Sequence, residues 1–251
     1  ATLGTRGVTA TAGSINDAAD DNTVDFTAGG LITLTAQDEI GVLGSGSDTD
    51  LEFAASSSVN VSTTGTGAID LEGLGALTLS DVDTVNGAIT VASAGALTVT
   101  DVASGTNGNI VLSTTSGDIT GLATVNAGSG NVTLNSAGAI VDDGSTGTVV
   151  TGGVLTADAA GAITIDSTVT SANISTSAAG AVDLDETDGI TLTDIDPTDG
   201  SITVDAGGLI TATDVVAAGG TGDSVTLSTT TGGAVATLVT GADAVTISAT
   251  A

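Results

Sequence analysis

Apolar and polar residues alternate with a period of two along most of this chain, as in Ile89-Thr90-Val91 and Leu97-Thr98-Val99. Branched aliphatics fall on one parity, and Thr, Ser or Asp on the other. That alternation predicts short β-strands with one buried face, and β-branched residues suit strands better than helices. No apolar set recurs at three-to-four spacing, so no amphipathic helix is predicted.

The strands come in a repeat. GAIDL (67–71) is followed by GALTLSDV (75–82), and GAITV (87–91) by GALTVTDV (95–102). Further copies are GNIVL (108–112), GNVTL (130–134), GAITID (161–166), GAVDLD (180–185), GSITVD (200–205) and DSVTLS (223–228). Gly67, Gly87, Gly108 and Gly130 open successive units of about 20 residues. Each unit holds two strong strands and a weaker third near the Asp-Val that ends the second.

A strand pair of this length cannot bury its apolar face alone, but stacked units can. The expected fold is therefore all-β, a parallel β-solenoid with one coil per repeat. Roughly a dozen coils rising about 4.8 Å each would make a rod on the order of 55 Å long. One solenoid is expected over residues 1–251. Its coils are less regular in 1–66 and regular in 67–251, with a longer coil or insertion near 143–160. There GGVLTAD (152–158) reads as a strand that shifts the phase.

Composition narrows the function. The chain has one Arg (Arg6), no Lys, His, Cys, Met, Trp or Tyr, and 30 acidic residues, for a net charge of −29. Neutral-pH acid–base catalysis usually uses His or a tuned Lys, and zinc sites want His or Cys. Nucleic-acid binding needs cations to neutralise phosphates. No enzyme activity and no nucleic-acid partner are expected. A hydrophobic fraction of 40% argues against disorder, and no apolar run approaches the roughly 20 residues of a membrane helix. A first residue other than Met suggests a processed product or part of a longer chain.

Glycine-led units of the form GAITL…GALTLTDV, rich in Gly, Thr, Ser and Asp, resemble the haemagglutinin-type repeats of large secreted bacterial exoproteins over about residues 67–250. Those are filamentous-haemagglutinin-like adhesins and fibres. The resemblance implies a right-handed β-helix at the cell surface, acting as stalk, adhesin or fibre.

Aspartate is the candidate for chemistry. Asp166, Asp185 and Asp205 follow their strands at equal places, as do Asp81 and Asp101, and Asp194 and Asp214. Stacked in register, these carboxylates would lie about 5 Å apart and repel by about 0.8 kcal/mol in water, more at lower dielectric. Solvation relieves that repulsion; so does calcium, which accepts 6–8 oxygens in flexible geometry. These seven are the candidate calcium ligands, weighed against plain solvated surface acids. Asp20-Asp21 and Asp142-Asp143 read as loop acids.

An ice-binding face is a remote alternative, with Thr78, Thr90, Thr98, Thr133, Thr164, Thr191 and Thr203 as its members, although Thr also suits any exposed strand face. A module that recognises a cell-surface glycan is the other alternative. Neither ATLGTRGVTATAG (1–13) nor GADAVTISATA (241–251) reads as a cap. Self-association head to tail into a fibre, or continuation in a longer chain, is therefore expected.

Overall fold

The computed structural model of the chain describes residues 6–17, 22–41, 50–147 and 149–250. Those residues form an all-β parallel solenoid, without a helix, of about nine turns of about 21 residues. Every strand pairing is parallel. One inward column climbs through Leu77, Leu97, Ile119, Ile140, Ile163, Val182, Ile202 and Val225. A second runs through Ile69, Ile89, Ile110, Val132 and Leu155. All of these side chains are buried, and the alternation read from the sequence is the alternation of burial, as in BiBiB for Ile89–Ser93.

About nine turns stand where about a dozen were expected. The first coils are long: Arg6 pairs with Ile32 and Ile32 with Val59, steps of 26 and 27 residues. The weak third strand is present as Asp101–Ala103, or runs on from the second strand in Leu77–Asp83. GGVLTAD lies within the strand Val150–Ala159, paired in register with Val132–Ser136. Gly161 therefore opens a strand above Ile140, in the column of the second strands.

The corners explain the glycine period. A Cβ on Gly87 would strike the carbonyl oxygen of Gly67, and one on Gly108 that of Gly87. Each glycine thus makes room for the coil beside it. Inward hydroxyls close the same corners, Thr84 donating to the Gly87 carbonyl at 2.7 Å and Thr63 to the Gly67 carbonyl at 3.1 Å. On another corner Thr114 donates to Gly117 and Ser136 to Ala139, each at 2.9 Å. Turn carbonyls that would otherwise be buried unpaired are satisfied in this way.

Candidate functional site

Strand alternation turns the acids outward, and register decides which of them meet. Asp166 pairs with Asp185 and Asp185 with Asp205, and Ser228 continues the line. Val82 pairs with Val102, so Asp81 and Asp101 are neighbours too. The two groups belong to one column, because the adjacent inward line is unbroken from Val82 through Val102, Val125, Val150 and Ser167 to Glu186. Between them stand Thr124 and Val149, and below Asp81 stands Asn60, which donates to its carboxylate at 2.8 Å. Asp194 and Asp214 are also neighbours, set by Ile195 over Val215, but on a different side of the coil. Five of the seven candidate ligands therefore share one wall.

Burial and crowding raise several acids on and beside that wall. Asp166 is raised by burial, then by the charges of Asp142 and Asp185. Asp183 is raised by burial and by Asp205, and Asp185 by burial, Asp183 and Asp205. Lower down, burial and then hydrogen bonding and repulsion from Asp81 raise Asp83 to about 6, while burial and Asp81 raise Asp101. A cleft of about 350 Å3 opens on the wall, lined by Asp142, Ser145, Thr164, Asp166, Asp185 and Glu186. Among the loop acids, Asp143 is lowered by its hydrogen bonds with Ser145, and Asp20 and Asp21 lie outside the described residues.

Two acidic features were not anticipated. Asp50, Glu52 and Glu72 converge, with one carboxylate oxygen from each within 4.8 Å of the others. Glu52 is fully buried and pairs in register with Glu72, and Asp70 beside them is raised to about 6 by burial and by Asp50. The signal was present in the sequence: Asp50-Leu51-Glu52 recurs as Asp70-Leu71-Glu72 one period later. Such a cluster of hard oxygens is of the kind that holds calcium.

The second feature is Glu186, which occupies an inward position after Val182 and Leu184 and is buried. Its carboxylate accepts from the Ser167 hydroxyl at 2.6 Å and from the Val169 amide at 3.1 Å. The strand Ile163–Ala179 is continuous, whereas the coil above it breaks between Glu186 and Ile190. Glu186 supplies the acceptor that the interrupted strand does not. Its own signal was a carboxylate on the apolar parity.

The threonines do not form one array. Thr78, Thr98, Thr164 and Thr203 share an outward column with Thr120, Val141 and Asp183. Thr90 and Thr133 lie in another column with Val111 between them, and Thr191 pairs with Ser171 in a third column.

Fold and wall together define a class, an acidic parallel β-solenoid built from a repeat of about 21 residues. Compared with protein-family models, with curated proteins and with solved structures, the chain matches none.

Proposed function

We propose that the protein is a structural β-solenoid of the bacterial cell surface, a subunit or segment of a filament or adhesin that extends along the solenoid axis. The observation that carries this reading is continuity. Successive coils stack in register from Arg6 to Ala249, and the last coil exposes Val245 and Ile247, whose columns the coil below buries at Val225 and Leu227. An edge of unpaired amides beside open aliphatic columns is a template for one more coil. Glycine-led, Thr- and Asp-rich units of filamentous-haemagglutinin-like exoproteins support the same reading. Electron microscopy tests it: fibres of unbroken cross-section are expected, and isolated short rods at every concentration would reject the subunit form.

Calcium is the proposed ligand of the acidic walls. It would bridge coils along Asp166, Asp185 and Asp205 and at Asp50, Glu52 and Glu72, replacing carboxylate repulsion with shared coordination. Chelation should then lower the melting temperature and millimolar calcium restore it. A melting curve indifferent to both would leave the walls as solvated acids.

A further inference from the structure

Three inward columns can be followed through the whole solenoid, and all three are large at one end and small at the other. The first begins at Val8 and Leu34 and finishes at Thr229 and Ala249. The second begins at Ile15, Ile40 and Ile69 and finishes at Ala212 and Ala236. In the third, Phe26 stacks on Phe53 with ring centroids 5.5 Å apart, and the column finishes at Ala217 and Gly241. Val8 is exposed and Phe26 half-buried, and both line a cleft of about 460 Å3 with Gly7, Asp25, Thr27 and Ile32. At the opposite end Ala236 and Ala249 are exposed.

Charge follows the same division. Of the 30 acidic residues, none precedes Asp17 and only Asp243 lies beyond Asp223, while the one cation, Arg6, belongs to the first strand. The acidic walls therefore repel like walls, and the last coil brings a single acid, Asp243, to be desolvated at a joint, while the first coil carries Asp17 and Asp25 besides Arg6.

We propose that two copies of this chain join axially in one register, with Val8, Ile15 and Phe26 of one copy seated over Ala249, Ala236 and Gly241 of the next. This rests on the filament reading above and adds the residues that make the joint. Large side chains over small ones let the columns interdigitate across the junction at the density of a protein interior. The contact is heterologous, so it repeats without closing.

The test uses the 251-residue chain and two single substitutions in its last coil. Ala236→Asp buries an unpaired carboxylate in the joint and should raise the concentration needed for joining by about a hundredfold or more. Thr246→Asp adds the same charge to an outward column that already holds Asp183, and should leave joining within about threefold of wild type, as expected of a surface change. Ala236→Asp copies keep an intact first coil, so a small fraction of them mixed into wild-type chains should shorten the fibres by capping one end; a misfolded variant would not. Fibres that form equally well from Ala236→Asp chains would overturn the joint and leave the filament reading standing. Wild-type chains that stay monomeric at every concentration and salt level would overturn the joint together with the subunit form of the filament reading.

Discussion

From Leu77 to Val150 the inward column beside the acidic wall is built of Val82, Val102, Val125 and Val150; above them it holds Ser167, Glu186, Ala206 and Thr229. The lower coils turn at corners made by stacked glycines and bracketing hydroxyls. The upper coils run through the same place as long strands, Val150–Ala159 and Ile163–Ala179. One repeat thus tolerates two interiors. Ser167 and Glu186 are accommodated by pairing with each other and with Val169, whereas the buried Thr229 hydroxyl, beneath the last coil, has no partner among the described residues.

The sharpest way to break this comparison is to move the upper chemistry downward. Val102→Glu would place a carboxylate in a column whose neighbours Val82 and Val125 offer no donor. It should cost more than about 4 kcal/mol, read by chemical denaturation. Glu186→Gln keeps an acceptor for Val169 and should stay within about 1 kcal/mol of wild type. Equal losses would mean that the two interiors do not differ as described.

Next in size is the aliphatic column itself. Ile110→Ala, fully buried between Ile89 and Val132, should cost about 3 kcal/mol. The corners give a smaller contrast. Gly108→Ala drives a methyl into the Gly87 carbonyl, whereas at Gly161 the same methyl meets Ala139 no closer than 3.4 Å. Melting should show a loss of about 1–3 kcal/mol for the first and under about 0.5 for the second.

The smallest effect is that of pH. Asp70 and Asp83, both raised to about 6, bind protons more tightly in the folded chain than in the unfolded one. Their contribution is therefore fully present below the unfolded value near 4 and is lost as pH rises through about 6. Metal-free protein should gain stability on acidification from pH 7 to 4, each group adding less than about 1 kcal/mol after solvent screening. Asp70→Asn with Asp83→Asn should remove part of that slope and leave the part owed to Asp166, Asp183, Asp185 and Glu186, all raised by burial. A melting temperature that falls steadily from pH 7 to 4 would contradict this.

Much of the fold was legible because its signals are local. Parity in Ile89-Thr90-Val91 names the buried face, and the spacing of Gly67, Gly87 and Gly108 names the corner. The pairing of Asp166 with Asp185 and Asp205 followed from the spacing alone. The Asp50, Glu52 and Glu72 cluster was harder to see, since it straddles the long early coils and the first regular one.

Strand, parity and repeat were thus determined by the sequence itself, since alternation and glycine placement act within a few residues. Which acids share a wall was decided only by the tertiary structure. Register across distant coils depends on the summed lengths of every coil between them, and on the way from Asp81 to Asp166 those steps vary between 17 residues, from Val150 to Ser167, and 25, from Val125 to Val150. Asp81 and Asp166 lie on one line because those unequal coils each close on the same aliphatic columns, which no local pattern encodes.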